Sequence, residues 1–449
     1  MDRRDFLKIG GGVVTAVSGC GGGGGEVPPP VAQAPNVLMI ALDDLNDWVG
    51  FLAGHPQVKT PNLDRLAARS NIFEHAYCTL PICAASRAGA LTGLRAQSTG
   101  VYDNNTTYRN VNPGKPMLSD MLAAAGYETR EIGKIDHTFN AGTQPLPDQP
   151  VANKVCPAPS PGSGAFDWGI SPGTDADLPD YRFASSAIDF LRASHSRPFY
   201  LGVGFIRTHV AWYAPARFFD LYPLSGLSVP TVPADDLDDL GPVARATALR
   251  FNFHQCITSQ DLWAQAVQGY LASISWVDSQ VGRLLDALDA SAHANNTLVV
   301  LWSDHGFHLG EKLHWHKLAL WEPATRVPFL VRAPGQTTSQ RLSPCVSLAD
   351  LVPTILDYAG VAPTTTMDGS SLRPVIAAPA SYTDRSVLMS NNRTDHALRT
   401  GRWRYIRYGS SERELYDLTT DPREFRNLAG DAAYASLIAD FDTRLPAAS

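Results

Sequence analysis

Asn36-Val37-Leu38-Met39-Ile40-Ala41-Leu42-Asp43-Asp44 is the segment on which the reading of the fold turns. Its apolar run has the length and evenness of a strand covered on both faces of a mostly parallel sheet. It stops abruptly on two carboxylates. Ligands of open α/β sheets bind beyond the carboxyl ends of the strands, so Asp43 and Asp44 stand where a cation is expected. The same design recurs outward from there. Tyr127 to Ile132 reads as a strand that delivers Gly133-Lys134-Ile135-Asp136-His137. Phe199 to Ile206 delivers Arg207-Thr208-His209, and Thr297 to Trp302 delivers Ser303-Asp304-His305-Gly306. Arg326 to Val331 returns to the sheet after the donor-rich stretch Gly310 to Lys317. Helical periodicity fills the intervals: a helix from Pro61 capped by Thr60, then Ser86 to Leu94, Pro116 to Ala125, Tyr181 to Ser194, and Asp261 to Leu288 as the longest. Trp302 and Phe307 are expected to pack in the core.

The strand ends bring three carboxylates and an imidazole, Asp43, Asp44, Asp304 and His305, to one edge. Carboxylate oxygens suit a hard divalent cation, and the imidazole leaves magnesium or a softer metal open. Lys134 offers a point charge for an anionic oxygen, and His137 and His209 can move protons near neutral pH. Residues 141 to 180, rich in Pro, Gly and Asp, read as a surface loop shaping access. Leu221 to Leu249, with Asp235-Asp236 and Asp238-Asp239, reads as a solvated loop and helix start.

A chain of 449 residues with 44% hydrophobic and 18% charged residues describes a globular protein with one large domain and a smaller companion. A net charge of -7 argues against a nucleic-acid binder held by phosphate contacts. The first residues are an address: Asp2-Arg3-Arg4-Asp5-Phe6-Leu7-Lys8 is similar to a twin-arginine export signal, and Val17-Ser18-Gly19-Cys20 to a lipoprotein cleavage box that would leave Cys20 lipidated. Residues 21–35, with Gly21 to Gly25 and Pro28 to Pro30, form a tether that cannot pack. The expected location is therefore periplasmic or at the outer membrane, held only through lipid. Cys78, Cys156, Cys256 and Cys345 allow three pairings, and the sequence does not choose among them.

One further stretch decides the chemistry: Pro81-Ile82-Cys83-Ala84-Ala85-Ser86-Arg87-Ala88-Gly89-Ala90-Leu91-Thr92-Gly93. It resembles the signature of the type I sulfatases, in which the cysteine is oxidised to a formylglycine aldehyde by a maturation enzyme; Ala85 stands where that family most often has proline. The resemblance covers about residues 36 to 430, including Glu414-Leu415-Tyr416-Asp417-Leu418-Thr419-Thr420-Asp421-Pro422, and within the family is nearest the iduronate-2-sulfatase type. It implies an alkaline-phosphatase-like α/β sandwich over residues 36–380 with a mostly parallel sheet flanked by helices. A small antiparallel-sheet subdomain is implied over 381–449, with a hairpin around Thr400-Gly401 whose arginines face either solvent or an anionic sugar chain.

By that resemblance Asp43, Asp44, Asp304 and His305, with the modified Cys83, hold a calcium ion, magnesium being the variant. Lys134, His137, His209 and Lys317 match the residues that bind sulfate and handle protons, and Arg87 supports an oxyanion at residue 83 together with the helix it opens. The implied reaction is hydrolysis of a sulfate ester on a carbohydrate. A hydrated aldehyde suits it because one hydroxyl attacks sulfur and the second collapses to expel sulfate. Tyr102, Asn104, Tyr108, Arg109, Trp212, His314 and Trp315 are candidate sugar contacts by position. Two other readings compete: a phosphomonoester or phosphonate hydrolase on the same fold, and a non-catalytic lipoprotein that binds sulfated glycan with Cys83 unmodified.

Overall fold

The computed structural model describes residues 34–138, 166–383 and 385–447. The export signal, Cys20, nearly all of the tether, Cys156 and most of the access loop lie outside the described residues.

The run Asn36–Leu42 is strand β1, and all seven of its residues are buried. Six further strands join it: β2 Asn71–Phe73, β3 Glu128–Gly133, β4 Phe199–Gly204, β5 Thr297–Ser303, β6 Phe329–Arg332 and β7 Gln340–Leu342. Their order across the sheet is β7-β2-β6-β5-β1-β4-β3. β1 pairs in parallel with β5 and β4, and β3 in parallel with β4. β6 runs antiparallel to both β5 and β2, so it alone is reversed.

The period-2 alternation of a strand explains why a continuous apolar run was needed. Leu38, Ile40 and Leu42 enter one core with Ala184, Ala187 and Leu191 of helix Pro179–Arg192 and Tyr270, Leu271 and Ile274 of helix Trp263–Asp289. Val37, Met39 and Ala41 enter the other with Ala84, Ala88 and Leu91 of helix Cys83–Thr92 and Val352 and Ile355 of helix Leu351–Ala359. Both faces are thus covered. Each fully buried Leu, Ile or Val contributes roughly 1.5–3 kcal/mol, which fixes the register firmly.

Helices are labelled α1 Pro61–Ala67, α2 Cys83–Thr92, α3 Leu118–Ala124, α4 Pro179–Arg192, α5 Trp263–Asp289, α6 Leu351–Ala359 and α7 Ala435–Arg444. α1 starts at Pro61 as expected, but Thr60 does not cap it: its hydroxyl accepts from Gly50 N at 2.8 Å. The cap comes from Asp278 of α5, whose carboxylate accepts from Asn62 N at 3.1 Å and Leu63 N at 2.8 Å. α2 begins at Cys83, three residues before the expected opening, and ends on Gly93 at φ 75°, a left-handed turn that glycine adopts without steric cost.

The C-terminal sheet consists of β8 Val387–Ser390, β9 His396–Arg399, β10 Trp403–Tyr408 and β11 Glu412–Asp417, all antiparallel. The hairpin around Thr400-Gly401 is present, with Thr400 N donating to Trp403 O at 2.9 Å. One face carries Leu398, Tyr405 and Leu415 against Ile438 and Phe441 of α7. The other packs on Leu320, Trp321 and Ala324, and residues from Ala34 onward form a single compact unit. Arg399 and Arg404 of this hairpin reach neither solvent nor an open groove: both are buried and bind Glu322. Asp236 likewise departs from the solvated loop expected there, because Lys312 pairs with it at 2.7 Å inside the protein. Cys78 and Cys345 are free and buried, whereas Cys256 is disulfide-bonded.

Candidate active site

Three parallel strands and one helix end at the same place. β1 delivers Asp43 and Asp44, β5 delivers Asp304 and His305, β3 delivers Lys134, and α2 starts with Cys83 at its positive end. Cys83 is wholly buried and is the centre of the cluster. Its Sγ lies 3.0 Å from Lys317 Nζ, 3.3 Å from His305 Nε2 and 3.7 Å from Asp43 Oδ1, and His137 also hydrogen-bonds it. Lys134 Nζ binds Asp43 Oδ2, and Lys317 Nζ binds Asp44 Oδ1 at 2.7 Å.

Arg87 stands one helical turn beyond Cys83 and holds the strand ends in place. Its Nε donates to Asp304 Oδ2 at 2.8 Å, while its other nitrogens donate to Leu42 O, Lys134 O and Ile135 O. Three strand termini are thus bonded to one guanidinium, a geometry suited to its fork of donors. His209 lies on the exit of β4, with Nδ1 at 2.6 Å from Val210 O. Thr208 beside it donates its N–H and its hydroxyl to Asp43 O at 2.9 and 3.1 Å.

The electrostatics follow from these contacts. Burial pushes the Cys83 thiol up, but Lys134, Lys317 and His305 outweigh it and hold the thiol well below its ordinary value. Burial likewise raises Asp43, and Lys134 more than reverses this. For Asp304 burial wins against Arg87, and its carboxyl is pushed up to about 6. Burial lowers His305, yet the Asp304 carboxylate carries it up to about 9. The site therefore gathers cationic groups around one nucleophilic position.

The donor set fits a hard divalent cation. Ligand atoms of Asp43, Cys83, Asp304 and His305 all lie within 4.8 Å of one another, as do those of Asp43, Asp44, Cys83 and His209. Asp44 Oδ2 is buried without a hydrogen-bond partner among the described residues. A carboxylate oxygen in that condition is costly unless a cation meets it. The sequence gives no hint of how Asp44 is held. It adopts a left-handed backbone, φ 60°, fixed by its N–H on Asp304 Oδ1 at 3.1 Å and its carbonyl accepting from Tyr270 OH at 2.7 Å. Tyr270 sits in α5 and carries no motif; Ser86, whose hydroxyl donates to Asp304 O, is the other missed support and stood within the quoted motif.

The sugar-contact candidates divide. Asn104 comes close to the nucleophile, its Oδ1 accepting from Ala84 N at 3.0 Å. Tyr102 is half-buried, and the exposed Arg109 pairs with Asp120 at 3.1 Å. Tyr108 is buried against the α2 core. Trp212, His314 and Trp315 are inside the protein rather than at a rim. Trp212 Nε1 donates to Thr208 O at 2.8 Å, Trp315 Nε1 to His254 Nδ1 at 3.1 Å, and both rings pack on Phe166. His314 lies between Ala248 O and Lys317 O, at 3.1 and 3.0 Å, where it shapes the loop of Lys317. Their indole and imidazole N–H groups found internal acceptors, which made burial tolerable.

Comparison with known proteins agrees with this geometry. The sulfatase family profile matches residues 35–361, and a profile for the C-terminal region of N-sulphoglucosamine sulphohydrolase matches residues 310–449. A sulfatase of Formosa agariphila is 33% identical over 99% of this chain and 92% of its own length. Human iduronate 2-sulfatase is 33% identical over 68% of this chain and 61% of its own length. Among solved structures, the phosphonate monoester hydrolase of Agrobacterium radiobacter superposes with a TM-score of 0.78 at 21% identity, covering 91% of this chain and 94% of that one. A protein in complex with its substrate D-glucosamine-2-N,6-O-disulfate gives 0.72 at 21% identity, covering 92% and 98%. At that identity the two structures attest the fold.

Proposed function

Because the chain belongs to the sulfatase family and is a sulfuric ester hydrolase, we propose that its substrate is a sulfated carbohydrate and its nucleophile an aldehyde made from Cys83. The observation that carries this is the convergence of Lys317, His305 and His137 on the side chain of residue 83. Cys83 Sγ stands in for the oxygen of the hydrated aldehyde. Relatives named for iduronate 2-sulfate, and a structural neighbour holding a glucosamine disulfate, favour a saccharide.

When hydrated, the aldehyde supplies one hydroxyl to attack sulfur and another to expel sulfate. A calcium ion, or magnesium, held by Asp43, Asp44, Asp304 and His305 would add Lewis-acid polarisation of the sulfate. Lys134 and Lys317 bracket residue 83 and bind the sulfate oxygens, offsetting the charge that builds during transfer. Asp304, raised by burial, takes the proton from the attacking hydroxyl. His209 or Lys317 gives a proton to the departing sugar oxygen, and His137 takes the proton from the second hydroxyl as sulfate leaves.

The twin-arginine pattern and the Cys20 box support export and anchoring by lipid, with residues 21–35 as spacer. A formylglycine-generating enzyme is the required maturation partner. Sulfate release across defined sulfated oligosaccharides, run beside an aryl phosphate, tests the reaction; preferential phosphate release overturns it. Mass spectrometry of the Cys83 peptide should show a species lighter than the thiol. Chelator should abolish turnover and added calcium restore it. A Cys20→Ser chain that remains with the membrane fraction would remove the anchor.

A further inference from the structure

We propose that Arg393 recognises a second anionic group of the substrate, a carboxylate or a further sulfate on the saccharide beyond the sulfate that is cleaved. This rests on the sulfatase reading above and narrows its substrate to polyanionic saccharides. Arg393 lies in the turn 391–395 between β8 and β9. That turn is bonded to the catalytic domain at its base, where Ser390 N donates to Thr79 O at 3.0 Å and Gln97 Nε2 to Ser390 Oγ at 2.8 Å. It is stiffened within, since Asn392 Oδ1 accepts from Thr394 N at 2.7 Å and Asp395 N at 2.8 Å.

At the tip the exposed guanidinium of Arg393 lies 4.4 Å from the centre of the Tyr102 ring. Tyr102 precedes by two residues Asn104, whose side chain holds Ala84 N beside the nucleophile. Two residues span at most about 7 Å, so Arg393 stands within on the order of 15 Å of residue 83, inside the reach of a saccharide whose sulfate is seated there. An arginine stacked on an aromatic ring is already oriented, which lowers the entropy lost when it binds an oxyanion.

Its charge is also available. Among the described residues Arg393 forms no ion pair, whereas Arg399 and Arg404 bind Glu322, Arg402 binds Asp417, and Arg407 and Arg413 bind Asp442. Carboxylates on the two adjoining loops face amides instead: Asp395 Oδ1 accepts from Gly409 N at 3.0 Å, and Asp103 Oδ1 from Asn105 N and Thr106 N at 2.9 and 2.8 Å. A small or cationic sulfate ester makes no use of this arginine; a uronate or a second sulfate does.

The test uses the full-length matured enzyme and four substrates: a small aryl sulfate, a monosulfated neutral disaccharide, the same disaccharide bearing a uronate, and a disulfated neutral disaccharide. In R393Q the ratio of kcat/KM on an anionic disaccharide to that on the neutral disaccharide should fall by about 10–100-fold, mainly through KM, and R393K should recover part of it. Loss confined to the uronate assigns a carboxylate; loss confined to the disulfated sugar assigns a sulfate. An unchanged ratio overturns the inference while leaving the sulfatase reading intact. A wild-type enzyme silent on all four substrates removes both.

Discussion

Among the described residues two buried charge clusters stand in contrast, one at the ends of the parallel strands and one where the C-terminal sheet meets Trp321 to Thr325. In the second, Arg404 binds Glu322 and, through Nε, Glu424 at 2.8 Å, Arg399 binds Glu322 at 3.1 Å, and Glu424 also accepts from Glu322 N at 2.8 Å. Each guanidinium there has a buried acidic side chain as its partner. In the first, Lys317 divides itself between Asp44 and Cys83, and Asp44 Oδ2 has neither a hydrogen-bond nor an ion-pair partner among the described residues. Buried charge by itself therefore does not mark a site. A cation whose partner is a reactive atom, beside an oxygen left unmatched, does.

The contrast can be broken most severely by Cys83→Ala, for which sulfate release should fall at least about 10⁴-fold with the melting temperature little changed. Arg404→Met acts on the other cluster: it leaves Glu322 and Glu424 buried without their shared cation, and urea unfolding should show a loss of about 3–5 kcal/mol. Turnover per folded molecule should change much less than in Lys317→Ala, where removal of the shared ammonium is expected to lower kcat by about 10²–10³. If Arg404→Met instead cost turnover and not stability, the division drawn here would be wrong.

Titration separates the clusters further. Burial, opposed by Arg404 and reinforced by Glu322, pushes the Glu424 carboxyl from 4.5 up to about 8. The folded state then keeps a proton that the unfolded chain has released, so this contribution to stability is complete below about pH 4.5 and lost as pH rises through about 8. Glu424→Gln should flatten the fall of the melting temperature over that interval, by about 1–2 °C per pH unit. The smallest effect is expected from Tyr270→Phe, which deletes the 2.7 Å hydrogen bond to Asp44 O and should lower kcat by up to about tenfold.

The strand ends were legible because a strand covered on both faces must be apolar throughout, so the first charged residue marks where it emerges. Asp43, Lys134, His209 and Asp304 were found this way, and the structure gathers them. What local sequence does not carry is what arrives from far along the chain. Tyr270 looks like one more apolar position of a long amphipathic helix, and its hydroxyl is needed 226 residues away. Asp278 displaced Thr60 as the cap of α1 for the same reason. Trp212, His314 and Trp315 follow β4 and β5 in the segments that leave the site edge, yet these fold inward, where backbone carbonyls and His254 satisfy their donors. The arginines of the last sheet alternate like a solvated face, and the burial of Arg399 and Arg404 depends on Glu322, about eighty residues earlier. Strand direction is likewise invisible in composition, so the reversal of β6 was not foreseen.

Every residue of α2, from Cys83 to Thr92, is buried, Arg87 included. No second enzyme can grasp that segment once the strands have closed round it, because doing so would require extracting a helix from the interior. If Cys83 is converted to the proposed aldehyde, the conversion therefore has to come before this helix closes into the interior.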